Sequence, residues 1–137
     1  SRGLGDVYKR QIMNTLVAEA IENLNITLEF AITGDSTNAS DIRWLTSGTR
    51  PTDAEIQTEI DRVVSEYPMT LLREERNRLL SKSDWRVTVA TETGTSLSNE
   101  WKTYRQALRD LPASSTPKLD SYNELDLTSV SWPTEPS

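Results

Sequence analysis

The sequence predicts an α+β protein, with a short helix and a two-stranded β-hairpin first, then a long helix broken near Pro68, a C-terminal helix and an extended tail. Three observations lead to this class. One segment alternates strictly between apolar and other side chains, the segments on both sides of it have apolar residues at helical spacing, and the last residues are rich in Ser, Thr and Pro. A chain of 137 residues forms one domain or two small modules.

The first helix is predicted over residues 13–25, where apolar side chains recur three and four residues apart. The preceding stretch, SRGLGDVYKRQ, resembles a scar seen at the ends of translated metagenomic fragments. The alternative is a basic, disordered tail. Neither interpretation predicts a fold for residues 1–11.

Two strands are predicted next. Over residues 26–33 the apolar side chains alternate with Thr, Glu or Ala, as in a half-buried strand. Residues 41–46 form a second short strand with Ile42 and Trp44 on one face. Because the residues between them, GDSTNAS, are turn formers, we expect a hairpin with a long loop.

The long helix is predicted to start at a capping box formed by Thr52 and Glu55. Its apolar positions recur at helical spacing. They are Ile56, Ile60, Val63, Val64 and Tyr67. Since a proline inside a helix costs ~3 kcal/mol, we expect a break or kink near Pro68, which would open a second helix over residues 69–82.

Residues 83–98 are predicted to be a connection, with a short extended piece around Val87 and Val89. The last helix is expected to begin at Ser96 or Ser98 and to end at Pro112. One face of it carries four large residues at helical spacing. These are Trp101, Tyr104, Leu108 and Leu111.

This face is expected to pack on the leucines of the preceding helix, which are Leu72, Leu79 and Leu80. Arg105 and Arg109 are expected beside it at the surface, where they pair with a carboxylate such as Asp84 or with a partner protein. The tail after this helix is expected to be extended or mobile. Its apolar residues can still dock as an ordered strap, and they are Leu125, Leu127, Val130 and Trp132.

Composition disfavours several classes of function. The net charge of −6 opposes binding to nucleic acid and to anionic membranes. The absence of His and Cys removes the commonest general base and the commonest transition-metal ligands. No apolar run approaches the ~20 residues that span a bilayer. We therefore predict no catalytic residue, cofactor or metal, and neither a nucleic-acid nor a membrane partner.

The acidic residues at the start of the long helix have the spacing of a solvated helix face rather than of an active site. They are Asp53, Glu55, Glu59 and Asp61. Four tryptophans leave two interpretations open, because an indole ring serves equally as a core residue or as an interface anchor. They are Trp44, Trp85, Trp101 and Trp132, and a core role is the default for each.

Three blocks in the second half resemble the phage tail assembly chaperone domain family: RNRLLSKSDW, then EWKTYRQALRDLP, then VSWPTEP. The resemblance covers about residues 70–136, and the loop RVTVATETGTSLS departs from the family pattern. The matching positions are candidate interaction residues. They are Arg76, Asn77, Leu80, Asp84, Trp85, Trp101, Tyr104, Arg105, Gln106, Leu108, Arg109, Asp110, Pro112, Trp132 and Pro133.

The resemblance implies a non-enzymatic bacteriophage protein that helps tail or tail-fibre components assemble. From its acidic, aromatic-edged surface we expect it to bind and mask such a component in the host cytoplasm. The alternative is a small structural component of the tail fibre or tail tip in the virion, and a third, weaker one is an enzyme accessory subunit. The implied organisation is a scar at 1–11, a hairpin module at 12–51, a connecting helix at 52–69 and a chaperone-like domain at 70–137. The hairpin module more loosely resembles modules that precede such domains in phage tail genes.

Overall fold

A computed structural model describes residues 2–137, and within that range the chain forms three α-helices and one two-stranded antiparallel sheet. The α+β class predicted from the sequence is confirmed. The elements are α1 (Arg2–Asn23), β1 (Phe30–Ile32), β2 (Ile42–Trp44), α2 (Asp53–Thr93) and α3 (Asn99–Ser114), with short 3-10 turns at Ala39–Asp41 and Leu127–Ser129.

The chain divides into two compact units. Unit 1 comprises the described residues up to Tyr67 together with Ser121–Asn123, and unit 2 comprises Pro68–Asp120 and Glu124–Ser137. α2 contributes its first turns to unit 1 and its later turns to unit 2.

α1 begins at Arg2, so the prediction that residues 1–11 have no fold is wrong for the part that the structure describes. The helix gains contacts there from a distant segment of unit 1. The ring of Tyr122 lies directly against Gly5, where a Cβ atom would clash, and Asn123 Nδ2 donates to the Lys9 carbonyl oxygen at 3.5 Å. Sequence periodicity cannot predict these contacts, because Tyr122 and Asn123 lie more than 100 residues further along the chain.

The end of α1 is fixed by a Schellman cap. Asn25 has a φ of 59°, in the left-handed region that Asn tolerates better than most residues. The Ile26 N–H donates to the Ile21 carbonyl oxygen at 3.2 Å, which is the six-to-one bond of this motif. The helix therefore ends where the predicted strand segment begins.

The predicted hairpin is confirmed, although its strands are shorter than the alternation suggested. β1 and β2 pair antiparallel, with Phe30 opposite Trp44 and Ile32 opposite Ile42. The rings of Phe30 and Trp44 are 6.0 Å apart between centroids and add a cross-strand aromatic contact. The Leu45 N–H donates to the Glu29 carbonyl oxygen at 2.8 Å and continues the pairing beyond the three-residue strands.

The core of unit 1 lies between one stripe of α1, the hairpin and the first turns of α2. Its buried residues are Met13, Leu16, Val17, Ala20, Ile21, Ala39, Ile42, Ile56, Ile60 and Val63. Gln57 of α2 also fixes the long hairpin loop. Its side chain accepts from the Ala39 N–H at 2.7 Å and donates to the Thr37 carbonyl oxygen at 2.9 Å. These bonds satisfy loop backbone groups that no strand pairs.

α2 starts at the predicted capping box. The Thr52 N–H donates to Glu55 Oε2 at 2.9 Å, and the Glu55 N–H donates to Thr52 Oγ1 at 3.2 Å. The two bonds satisfy backbone donors that have no partner within the helix.

Thr52→Ala is expected to lower the free energy of unfolding by about 1 kcal/mol, because it removes the cap acceptor. Thr58→Ala is the matched control. The Thr58 hydroxyl only donates back to the Ala54 carbonyl oxygen within the helix, and alanine favours the helix, so this variant should be neutral or slightly stabilised. Urea unfolding measures both, and equal losses would contradict the role of the cap.

α2 continues through Pro68, so the predicted break is wrong, whereas a kink there stays a prediction. Proline removes one intrahelical hydrogen bond at a cost of ~3 kcal/mol. Val63 before it and Leu72 after it are both buried, each in the core of its own unit. Their burial offsets the loss at the proline. Local propensity is thus overridden by packing on either side.

The predicted connection over 83–98 is also mostly wrong, since α2 extends to Thr93 and carries Val87 and Val89 as helical residues. Gly94 ends the helix with a φ of 67°, and the Thr95 N–H donates to the Ala90 carbonyl oxygen at 2.9 Å. This is a second Schellman cap, and its left-handed position suits glycine. The connection between α2 and α3 is therefore only a few residues long.

α3 is capped by Ser98, one of the two predicted caps, whose side chain accepts from the Trp101 N–H at 3.4 Å. The helix ends at Ser114 instead of stopping at Pro112. Because Pro112 lies in the last turn, it removes one hydrogen bond without interrupting a longer helix. The Ser115 hydroxyl donates to the Leu111 carbonyl oxygen at 2.6 Å and satisfies one of the end carbonyls.

Candidate interaction surface

The large residues of α3 lie inside unit 2. Trp101, Tyr104 and Leu108 form one buried cluster with Leu79 and Leu80 of α2, as the spacing predicted. The Trp101 and Tyr104 rings meet edge to face, 5.6 Å apart between centroids. Burial raises the pKa of Tyr104, and the charge of Glu135 raises it further. The sequence left open whether Trp101 is a core residue or an interface anchor, and the structure places it in the core of unit 2.

The tail supplies the other half of the unit 2 core. Leu111 of α3 and Leu72 of α2 are buried together with Val130, and Leu125 and Trp132 pack against them. The Trp132 Nε1–H donates to the Leu127 carbonyl oxygen at 3.1 Å. The tail thus docks as the ordered strap that its apolar residues suggested, while Leu127 itself is exposed.

Arg105 is largely buried, so the predicted exposed position is wrong. Its side chain is only 13% exposed. Nη1 donates to the Leu80 carbonyl oxygen at 2.8 Å and to the hydroxyl of the buried Ser83 at 2.5 Å, and Nη2 donates to Asp84 Oδ1 at 2.8 Å. The predicted pairing with Asp84 is present. The sequence did not reveal that the neighbouring turn of α2 presents a carbonyl and a hydroxyl to the same guanidinium.

The remaining polar signature residues form a shallow network on the surface. Arg76 Nη1 donates to the Arg109 carbonyl oxygen at 3.4 Å, and Arg76 Nε donates to Asn77 Oδ1 at 2.9 Å. Along α3, Arg109 Nη2 donates to Gln106 Oε1 at 2.7 Å, and Gln106 Nε2 donates to Asp110 Oδ1 at 2.9 Å. These bonds join α2 to α3 and hold exposed side chains in place.

Trp85 differs from the other three tryptophans because 56% of it is exposed, so the default core role is wrong for this residue. Val87 and Val89 on the same turns of α2 are also exposed. The Arg86 guanidinium carbon lies 4.5 Å from the Trp85 ring centroid and 4.1 Å from that of Trp101. We call Trp85, Arg86 and Val89 the α2 end surface. Sequence reasoning missed Arg86 and Val89 because it placed them in a connection.

Four carboxylates of α2, those of Glu59, Glu66, Glu75 and Asp84, form ion pairs with arginines. The Arg78 hydrogen bond lowers the pKa of Glu75, with Nη2 to Oε1 at 2.6 Å, and the Arg62 hydrogen bond lowers the pKa of Glu59. Within residues 2–137, no group of three or more His, Cys, Asp or Glu side chains is placed to hold a metal ion. In the same range, no helix combines the length and apolar character required to cross a bilayer.

A family model described as phage tail assembly chaperone protein matches residues 69–137, half of the chain. The chain belongs to the phage tail assembly chaperone family. A search of curated proteins and a search of solved structures each found no match. In this family member, the matched residues coincide with unit 2 except for Pro68 and Ser121–Asn123. The buried α2–α3 pair, the strap and the α2 end surface all lie within the matched part.

Proposed function

We propose that this chain assists phage tail assembly as a non-enzymatic binding protein that covers a tail or tail-fibre component in the host cytoplasm until assembly begins. Membership of the tail assembly chaperone family supports a role in tail assembly. The observation that carries the binding role is the exposure of Trp85 on an ordered helix. Exposed aromatic anchors with aliphatic neighbours are typical of protein interfaces.

The α2 end surface is the proposed contact with the client because the other large apolar residues of unit 2, apart from Val87 and Leu127, are engaged. The α3 face and the strap are buried against α2. Trp85 and Val89 keep large exposed areas and, being four residues apart, lie on one face of α2. Covering them would remove apolar surface from water, which favours association.

If the client is a tail protein that self-associates, masking requires that complexes of the client with this chain do not associate with one another. The net charge of −6 makes copies of the chain repel one another overall. A client covered by it would repel other covered clients until it is released. The same charge supports the proposal that neither nucleic acid nor an anionic membrane is the partner.

The proposal is tested by co-expressing the chain with each tail and tail-fibre protein of its parent phage. One of these proteins is expected to remain soluble and to co-purify with the wild-type chain, but to sediment as polymer when expressed alone. Copy numbers of the chain in purified particles, measured by mass spectrometry, distinguish the alternative. Stoichiometric retention in the virion would contradict a transient mask and support a structural tail component.

Trp85→Ala is expected to reduce co-purification at least tenfold while leaving the thermal unfolding midpoint nearly unchanged, since truncating an interface anchor typically costs ≥2 kcal/mol of binding. Leu127→Ala is the matched control, because Leu127 is equally exposed, at 56%, elsewhere in unit 2. It should bind the client as the wild type does. Full client binding by Trp85→Ala would exclude the α2 end surface as the contact.

A further inference from the structure

We propose that Arg86 and the groove beside it bind a Glu or Asp side chain that is flanked by an aliphatic residue in a protein partner. This inference rests on the proposed function, because the partner would be the tail client. The inference specifies which side chains of the client the groove would recognise. This inference is based on an arginine that stacks on two indole rings while none of the described residues accepts a hydrogen bond from it.

Arg86 is positioned by stacking rather than by an ion pair. Its guanidinium carbon is 4.5 Å from the Trp85 centroid and 4.1 Å from the Trp101 centroid. Cation–π contacts of this length hold the flat face of a guanidinium and leave the N–H groups at its edge for other partners. Since Trp101 is buried, one of the two rings is fixed by the core of unit 2.

Most other arginines of α2 and α3 already have acceptors, and the exposed Arg73 is the exception among the described residues. Arg62 and Arg78 pair with glutamates on their own helix, and Arg105 pairs with Asp84 and two further oxygens. For Arg86, no described residue accepts a hydrogen bond or forms an ion pair. A guanidinium fork matches the two oxygens of a carboxylate, so a carboxylate is the group that would satisfy it best.

A groove of about 230 Å³ adjoins this arginine. Aliphatic groups of Val89, Ala90 and Leu97 line it with the two indole rings, and Thr and Ser residues of the α2–α3 connection complete it. No acidic side chain is among the lining residues. The groove therefore offers apolar contact for an aliphatic side chain next to one cation, and its small volume suits one or two side chains rather than a whole helix.

The charge distribution favours an acidic protein segment over nucleic acid. The chain is acidic overall, with a net charge of −6, so a polyanion that contacts a broad surface would be repelled. A single carboxylate needs only the local cation. The apolar rings beside Arg86 exclude part of the water and strengthen that contact relative to a fully exposed pair.

The test uses the full chain and the pentapeptide Ser-Leu-Glu-Leu-Ser with both ends blocked, so that its only charge is the Glu side chain. Titration is followed by the indole N–H signals of Trp85 and Trp101 in proton–nitrogen NMR spectra. Saturable shifts are expected. Replacing the peptide Glu with Gln, or Arg86→Gln in the protein, should each weaken binding about fivefold, as for loss of one partly desolvated ion pair.

Arg73→Gln is the matched control, because Arg73 is an exposed arginine on the same helix and the charge change is identical. It should bind the peptide as the wild type does. Combining Arg86→Gln with the Gln peptide should weaken binding no further than either change alone, since both remove the same contact. Circular dichroism of Arg86→Gln verifies its helix content, and Arg86→Lys, which keeps the charge but loses the fork, should give an intermediate affinity.

Three results would overturn the inference: no saturable shift, equal binding of the Glu and Gln peptides, or unchanged binding by Arg86→Gln. Tighter binding of a blocked oligothymidylate that displaces the peptide would also overturn it and point to nucleic acid. The proposed function is judged separately. If a tail protein co-purifies equally with Arg86→Gln and the wild type, the acidic-segment site is wrong while the masking role stands.

Discussion

Leu108→Ala is expected to lower the free energy of unfolding of unit 2 by about 2–5 kcal/mol, the largest effect among the single substitutions proposed. Leu108 is fully buried between α3 and α2, beside Leu79 and Leu80. Truncation would leave a cavity that a helix pair fixed by neighbouring aromatic rings cannot readily close. Urea unfolding followed by circular dichroism measures the loss.

Leu45→Ala is the matched control, because it is the same substitution at a position that is 52% exposed in unit 1. Its effect should stay within about 0.5 kcal/mol. A loss below 1 kcal/mol for Leu108→Ala would mean that the α3 face does not pack against α2 in solution. The aromatic side of α3 would then be available to a partner, and the placement of the client contact would have to change.

Arg105→Ala is expected to destabilise the protein by about 1–3 kcal/mol, because it removes the donor from the oxygen of the buried Ser83 hydroxyl and one of two side-chain donors from the Leu80 carbonyl oxygen. The surface position predicted from the sequence would give a loss of only ~0–1 kcal/mol, the value for an exposed ion pair. Chemical denaturation distinguishes the two values. Arg105→Lys should recover only part of the loss, since an ammonium group cannot reproduce the fork that reaches three acceptors.

Arg109→Ala tests the same change one turn further along α3. Its side chain is exposed and bonds only Gln106 among the described residues, so the loss should remain within about 0.5 kcal/mol. Equal losses for Arg105→Ala and Arg109→Ala would show that the burial of Arg105 does not contribute to the free energy of unfolding. A large difference would establish that Arg105 stabilises the α2–α3 pair, which explains its place in the signature without a direct contact to the client.

The sequence by itself determined the features that are written in short stretches of chain. The alternation of apolar side chains predicted the paired strands, and the Thr52–Glu55 spacing predicted the start of α2. The spacing of Trp101, Tyr104 and Leu108 predicted the buried face of α3. The three signature blocks indicated the same family as the one whose model matches the chain. Each of these depends on neighbours within a few turns or residues, so local chemistry suffices.

Tertiary structure alone decided the features whose energy depends on distant residues. α2 passes through Pro68 because burial on both sides offsets the lost hydrogen bond. α1 extends back to Arg2, and Tyr122 and Asn123 contact its first turns at Gly5 and Lys9. The exposure of Trp85 depends in the same way on which elements pack nearby, and no periodicity encodes it. A helix-propensity cost of ~1–3 kcal/mol is outweighed by the combined burial of several apolar side chains. That burial depends on contacts that form only when the chain has folded.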